Sequence, residues 1–513
     1  AASLLSATPS SPAAAGAGLA AVATRLEEIE VGLRGVPGVA CLLSEPNLAV
    51  AERIAAATEP IGATIGAVET DLDHGRLRVG TDALESVNAT LIRLRDAWWA
   101  LSRDRVGAAR AIAALAGDTD AVALGGAADL TSLQGWWAIN VALSSIDRLE
   151  VRGRDSAGVH VLVADHGLDL DTPEIRVLLG SRLEDPVFGS LAVRTPDGAL
   201  SFVYKAAAEI GELGDNVRAL RAAVGADPLL RMALAGSSAR CVVLGHTRWA
   251  SVGLVSEANA HPLNSDEMGG GDGPYVTAAL NGDVDNHAEL TLSEALRLPT
   301  EITTDAKVIP AIVARRLADG VEMDEAFRTT VARFDGSVAV GASSASSPDR
   351  IHLALRGSGQ SLNIGLAEDA FVVASEAYGL VEETAAYVRM DGESTQGQVV
   401  VLDRAGAGTL EGMTRVRYDG VPLPLESRDV VTAEVTTRDI DRGGFPHFLL
   451  KEVSEAPASF RKTLRGKIVP GAEARLTVGL GVDTLPADVV AAVVDKRVRR
   501  VFVVGQGTAA VAG

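Results

Sequence analysis

The sequence predicts an α+β protein, a helical segment followed by a layered, strand-rich domain. Two patterns predict it. Between residues 19 and 115 apolar residues recur at helical spacing. Between 136 and 432 short β-branched and apolar runs alternate with turns and a few helices. At 513 residues, 47% hydrophobic and 22% charged, the chain has material for roughly two to four domains with sizeable cores.

Residues 1–17 are an Ala/Ser/Pro-rich, low-complexity start, expected to be flexible. Leu19, Val22, Leu26, Ile29 and Leu33 mark a first helix, which Gly35-Val36-Pro37-Gly38 is expected to end. Pro46–Thr58 reads as a second helix. Ala83–Leu115 reads as a long third, with Leu84, Val87, Leu91, Leu94, Trp98 and Leu101 on one face. Trp98 and Trp99 are most simply packing anchors. A further helix runs from Trp136 to Leu149, into Arg152-Gly153-Arg154-Asp155-Ser156-Ala157-Gly158. Strands are expected at 159–163, 191–193, 241–244, 276–280, 338–341, 351–354, 363–366, 370–374, 398–402 and 414–418, with helices after Asp305 and Met323. Pro310 sits awkwardly in the first of these. Thr436–Pro446 is a polar connector and Phe448–Leu464 a helix. Arg500–Val504 is a short apolar strand opening into Gly505-Gln506-Gly507-Thr508, a weak phosphate-turn signal.

A net charge of −20 and a pI near 4.9 oppose a nucleic-acid partner, and the basic doublets Arg461-Lys462, Lys496-Arg497 and Arg499-Arg500 read as solvated surface. Two cysteines, Cys41 and Cys241, are no disulfide framework and fit a reducing, cytoplasmic setting. No run is long and apolar enough for a membrane helix, and no His/Cys/Asp/Glu spacing suggests a metal.

The chemistry concentrates in three short stretches: His246-Thr247-Arg248-Trp249-Ala250-Ser251, Asn259-Ala260-His261-Pro262 and Asn281-Gly282. An arginine at a strand end can grip a carboxylate with two prongs. An Asn-Gly pair after an apolar strand offers an amide donor beside a freely oriented backbone N–H, the makings of an oxyanion hole. Each has a plainer reading. Arg248 alone suits a structural ion pair, Asn281-Gly282 a hairpin turn, Asp305 a helix N-cap and Trp249 the core. His246 and His261 are read as isolated structural hydrogen-bonders. Cys41 and Cys241 both read as packing residues, so no nucleophile is evident.

In their order, these segments resemble the glutamine–fructose-6-phosphate aminotransferase (glucosamine-6-phosphate synthase) family. The likeness covers residues 136–513. It runs through 152–158, 246–250, 259–262, 280–282, Thr304–Ile309, Arg356–Gly359, Ala374–Glu376, Gly444–Phe448 and Val504–Thr508. It implies a class II glutamine amidotransferase domain (136–432) of the N-terminal-nucleophile hydrolase fold, an αββα sandwich. Residues 1–135 become a low-complexity start and helical insertion, 433–499 a linker and helix, and 500–513 the beginning of a sugar-isomerase (SIS) domain. It implies that an N-terminal cysteine attacks the glutamine amide with its own α-amine as base, and that ammonia passes to fructose 6-phosphate. Glutamine and a sugar phosphate are the implied partners, with no cofactor, and a homo-oligomer is expected.

On that resemblance Arg248 takes the glutamine α-carboxylate and Asp305 the α-ammonium. Asn281 and the Gly282 N–H form the oxyanion hole, Trp249 closes the site, Arg152 packs near the nucleophile and Thr508 lies by the sugar phosphate. The family's cysteine strand is not found before Trp136, and the expectation is that it lies upstream of Ala1. Val252 and Ser251 depart from the family's His and Thr, and Ala509 from its Ser. A nucleophile-less sugar-phosphate sensor and an amidotransferase of the phosphoribosyl-pyrophosphate type are the alternatives.

Overall fold

The computed structural model describes residues 12–73, 76, 81–117, 130–207, 212–269, 273–465, 467–470, 476–478 and 485–505. Thr508 and its turn lie outside them. The helices are α1 (Pro12–Val31), α2 (Gly35–Leu43), α3 (Ala49–Asp73), α4 (Thr81–Trp99), α5 (Val106–Ala116), α6 (Leu130–Leu149), α7 (Pro173–Leu179), α8 (Asp215–Gly225), α9 (Pro228–Leu234), α10 (His287–Ser293), α11 (Val308–Ala318), α12 (Met323–Val331), α13 (Phe448–Leu464) and α14 (Ala487–Val494). The strands are β1 (Ser156–Ala164), β2 (Val193–Arg194), β3 (Leu200–Ala206), β4 (Arg240–Arg248), β5 (Leu263–Asn264), β6 (Val276–Gly282), β7 (Val338–Ser344), β8 (Arg350–Arg356), β9 (Asn363–Ala367), β10 (Ala370–Ala374), β11 (Ala386–Arg389), β12 (Gln398–Asp403), β13 (Met413–Arg417), β14 (Val430–Thr432), β15 (Ile468–Pro470) and β16 (Leu476–Val478). The mixture is α+β, as the sequence predicts.

Two compact units result. The larger holds residues 26–59 and 96–441. Its six-stranded sheet, order β13-β12-β8-β7-β6-β5, is coated on one face by α11 and α12. Period-2 alternation explains this. Val338, Val340 and Ala342 point to the helix side, where Ile309, Ile312, Val313 and Phe327 are fully buried. Burying Phe327 alone contributes about 2–3 kcal/mol. Ala339, Leu353 and Leu355 point the other way, onto Ile364, Val388 and Met390. That second face carries two four-stranded sheets, β2-β3-β1-β4 and β10-β9-β11-β14. Helices α6 and α8 pack against β1, β3 and β4. Every strand pairing in these three sheets is antiparallel.

The N-terminal helices α2 and α5 pack on α6, with Val39, Leu42, Ile112 and Leu115 buried. The helix predicted to stop at Gly35–Gly38 instead restarts there. The chain breaks at Gly32–Arg34, and Pro37 is tolerated in the first turn of α2, where its missing N–H costs nothing. The long third helix exists, but Ala100–Arg105 is a π-helical stretch. It presents Asp104 and Arg105 to a buried ionic cluster. Arg105 meets Glu30 and Glu383 and donates to the Glu382 carbonyl, Arg148 pairs with Glu382, and the Thr437 hydroxyl donates to Asp104 Oδ2 at 2.6 Å. Pro310 lies in the first turn of α11, which removes the conflict seen in the sequence.

The second unit holds residues within 1–25, 60–95 and 442–513. The His447 side chain caps α13 by accepting from the Leu450 N–H at 3.2 Å. Arg465 holds Asp73 and Asn88. α1 begins at Pro12, inside the start expected to be flexible. The strand predicted at 500–504 is not formed. Val501–Val504 are exposed and irregular, because no neighbouring strand pairs with them among the described residues.

Candidate functional site

β4 runs four residues beyond its predicted end because β1 pairs along its whole length, Ser156 opposite Arg248. Arg248 is therefore a strand residue, anchored before its loop begins. β6 likewise carries Asn281 and Gly282 in register with Ala339 and Val338 of β7. Gly282 has φ +108°, and a Cβ there would lie 2.0 Å from the Ser337 carbonyl oxygen, so only glycine fits. Gly158 on β1 is needed for a different reason: a Cβ would meet the His261 carbonyl oxygen at 2.3 Å.

These strand ends meet at one cavity of about 640 Å³, entirely within the larger unit. Arg152, Arg248, Trp249, Asn281, Gly282 and Asp305 all line it. Arg248 is only 4% exposed. Its guanidinium donates to the Leu254 carbonyl at 3.1 Å and to that of Val252, so two of its five N–H groups hold the following loop. Burial works against its charge, while the Asp305 and Asp155 carboxylates support it. The Asp305 carboxylate accepts from the Val284 N–H at 2.7 Å and from the Thr304 hydroxyl at 3.3 Å. Burial raises its pKa and Asp283 adds to the rise, while the Val284 N–H opposes it. Thr304, not Asp305, stands at the N-cap position of the short 3₁₀ turn there. Trp249 is not core; it is 76% exposed on the rim. Arg152 is half out in solvent, held by Glu376 at 2.8 Å and the Tyr378 hydroxyl at 3.2 Å.

Sequence reasoning missed the residues that fasten these groups. Asp155 accepts from the Ala250 N–H at 2.9 Å, and Ser251 donates to Asp283 at 2.6 Å. Asn259 Oδ1 accepts from the Thr303 and Thr304 N–H groups at 2.7 and 3.0 Å, shaping the loop before Asp305. Asp155 and Asn259 both sit inside the singled-out motifs, which was the available signal. His246 and His261 are not isolated. Their rings lie 4.6 Å apart, tilted by 35°, and both line the cavity. Burial, with Arg248 nearby, pulls His246 down to about 4 and His261 well below its ordinary value, so both are neutral at pH 7.

Cys241 lines the cavity at the opposite end of β4 from Arg248. The seven residue steps between them span roughly 23 Å. Burial pushes its thiol up to about 12, the reverse of what a nucleophile needs. Cys41 is exposed on α2 and does not line the cavity. Among the described residues no cluster of His, Cys, Asp or Glu suits a metal, and no helix is long and apolar enough to cross a membrane.

No family model matches the chain. By sequence it is similar to glutamine–fructose-6-phosphate aminotransferases [isomerizing]. The one from Bacillus cereus (strain ATCC 10987 / NRS 248) is 28% identical over 329 residues, 64% of this chain and 43% of the relative. That from Halalkalibacterium halodurans is 25% identical over 377 residues, 73% and 49% respectively. That from Geobacillus kaustophilus is 32% identical over 225 residues, 44% and 34%. The chain spans less than half the length of these curated relatives. The solved glutamine phosphoribosylpyrophosphate amidotransferase from B. subtilis, complexed with ADP and GMP, is 17% identical over 54% of this chain and 46% of its own, with a TM-score of 0.35. A likeness that low carries no weight for the fold.

Proposed function

We propose that this chain is the glutamine-hydrolysing part of a glutamine–fructose-6-phosphate aminotransferase-like enzyme, which supplies ammonia for the synthesis of an amino-sugar phosphate. Residues 136–432 form its class II amidotransferase domain, of the N-terminal-nucleophile hydrolase fold. Residues 1–135 are a low-complexity start and helical insertion, 433–499 a linker and helix, and 500–513 the start of a SIS domain that takes the sugar phosphate, Thr508 included. The working protein is a cytoplasmic homo-oligomer needing no cofactor.

The observation that carries this reading is the meeting of one buried cation, one buried carboxylate and an Asn-Gly pair at one cavity. A zwitterionic amino acid requires that pairing: Arg248 for its carboxylate, Asp305 for its ammonium. The side chain then extends toward Asn281 and the Gly282 N–H. These receive the oxyanion formed when the nucleophile adds to the amide carbon. Collapse expels ammonia, and water releases glutamate. Trp249 on the rim covers the bound amino acid, and Arg152 stands beside the nucleophile.

The nucleophile is a cysteine on a strand upstream of Ala1. The cavity supports a seat for it. Its long walls are β4 and β10, each an edge strand of its own sheet, and both sheets lie on the same face of the six-stranded sheet. The two edges run in the same direction. The start of β4 adjoins Arg404 and that of β10 adjoins Gly408, four residues on, while their ends adjoin Arg152 through Gly153 against the Trp249 N–H and through Glu376. A strand inserted antiparallel to both, as in every other pairing of these sheets, begins at the Arg248–Gly282 end. Its first residue then faces the oxyanion donors, with the α-amine positioned to take the thiol proton.

The full-length protein is expected to release glutamate and ammonia from glutamine. Arg248→Ala is expected to raise the glutamine KM roughly 10–100-fold, the loss of a charge-assisted bidentate contact. An unchanged KM removes Arg248 from this role. The 513-residue chain alone is expected to be inactive, and turnover from it would overturn the upstream nucleophile. A full-length protein without a cysteine strand would instead favour a non-catalytic sugar-phosphate sensor.

A further inference from the structure

β5 is only two residues long and pairs with Thr277 and Ala278 of β6. Beyond Ala278 the corresponding edge of β6 has no strand partner among the described residues, although it still leads to Asn281 and Gly282. One side chain takes the place of the missing strand. His261 Nδ1 lies 3.1 Å from the Leu280 carbonyl oxygen and 3.4 Å from the Leu280 nitrogen. The opposite nitrogen, Nε2, lies 3.3 Å from Thr304 Oγ1, and that hydroxyl lies 3.3 Å from Asp305 Oδ1. The ring is 4% exposed and stacks on His246, two residues before Arg248.

We propose that His261 is a positioning residue for both halves of the site: through Leu280 it aims the Asn281–Gly282 donors, and through Thr304 it sets the Asp305 carboxylate. This rests on the glutaminase reading above. It adds a residue that touches neither substrate nor the reacting atoms.

The geometry makes the two arms separable. The neutral ring carries one proton, so one nitrogen donates and the other accepts. At the Leu280 edge the ring holds the backbone one residue before Asn281. A drift there moves the amide N–H of Gly282 and the side chain of Asn281 together. Oxyanion donors act over about 2.7–3.1 Å, so a few tenths of an ångström at this point are felt in turnover. At the Thr304 edge the ring fixes a hydroxyl that orients the Asp305 carboxylate, whose part toward the bound amino acid is to hold its ammonium. A drift there is felt in binding.

The test uses the full-length protein and steady-state glutamate release, with thermal unfolding of each variant to confirm folding. An asparagine amide reaches about as far as Nδ1 and a glutamine amide about as far as Nε2. His261→Asn is therefore expected to keep kcat within roughly threefold and to raise the glutamine KM about tenfold. Thr304→Val is expected to show the same signature, since it cuts only that arm. His261→Gln is expected to do the opposite, lowering kcat at least about tenfold with KM nearly unchanged. His261→Phe is expected to lose on both. Uniform losses of active protein, with KM constant across the set, would mean that His261 is merely structural and would overturn the proposal. An unchanged KM in Thr304→Val would overturn the binding arm even if His261→Phe fails to fold. A wild-type protein that releases no glutamate defeats the glutaminase reading, and this proposal falls with it; an active wild type with the wrong variant pattern defeats only the proposal.

Discussion

Asp104 is expected to make the larger unit less stable as pH rises toward neutrality, and Asp104→Asn to remove that dependence. Its carboxylate is buried on the π-helical stretch, where desolvation is the main term and Glu382 adds like-charge repulsion. Arg105 and Arg148 lie close but are spent elsewhere. Arg105 meets Glu30 and Glu383 and the Glu382 carbonyl, and Arg148 pairs with Glu382. Among the described residues the Thr437 hydroxyl is the hydrogen-bond partner of Asp104, and with the more distant Arg105 and Arg148 charges it offsets burial only in part, so the pKa stands at about 7 against an ordinary 3.8. A carboxylate raised by folding contributes stability that is fully present below pH 3.8 and is lost as pH climbs through 7. At 1.36 kcal/mol per unit, the loss between pH 5 and pH 8 is ~3 kcal/mol. Asparagine keeps an acceptor for Thr437 and cannot ionise. The assay is thermal unfolding of wild type and Asp104→Asn at pH 5, 6, 7 and 8. Comparing the two at each pH cancels the other titrating groups, Glu383 among them. The advantage of Asp104→Asn is expected to grow steadily to pH 7 and then level off. A difference that stays flat from pH 5 to pH 8 refutes the reasoning, because it would mean that Asp104 ionises without cost.

Gly282→Ala is expected to leave a folded protein with kcat lower by at least about 100-fold, because the added Cβ at φ +108° collides with the Ser337 carbonyl and turns the N–H away from the oxyanion; near-normal turnover would remove that N–H from the mechanism. Lys205→Met is expected to stabilise the larger unit by about 1–3 kcal/mol near pH 6. The Lys205 ammonium has no hydrogen-bond partner among the described residues, and burial with Lys307 nearby pulls it down to about 7. Its charged form is penalised below that pH and relieved above it, so the gain is expected to shrink between pH 7 and pH 10, and a gain that grows with pH counts against this account.

What the sequence disclosed was local. The β-branched runs at 276–280, 338–341 and 398–402 read as strands because alternation and turn residues lie inside each window. β3 was not legible. Leu200–Ala206 becomes a central strand only by pairing with β1, and that contact spans some 40 residues. The polar end of β4 was hidden for the same reason: His246-Thr247-Arg248 reads as loop until β1 is seen holding it. The site motifs were found because their residue types are specific, yet their fastening was not. The stack of His246 on His261, and the reach of His261 to Thr304, depend on loop paths that no periodicity encodes. The strand expected at 500–504 fails in the opposite sense, since local pattern without a pairing partner does not make a sheet.

The groups around the cavity are located by two different parts of the fold. Arg248, Asn281 and Gly282 are set by the sheets, and Asp305 by hydrogen bonds to Val284 and Thr304. Arg152 is set by α6, from whose end it follows, and by residues 376–383, which α6 also holds. Ser145 donates to the Gly379 carbonyl and Arg148 pairs with Glu382, while Glu376 and Tyr378 grip Arg152 itself. The same helix also carries α2 and α5, and the Arg105 cluster closes the circuit back to Glu382 and Glu383. A disturbance within these N-terminal helices therefore reaches Arg152 through the buried Arg105 and Arg148 ion pairs and then the exposed Arg152–Glu376 pair. Arg248 is reached more directly still, because α6 also packs against β4, the strand that carries it.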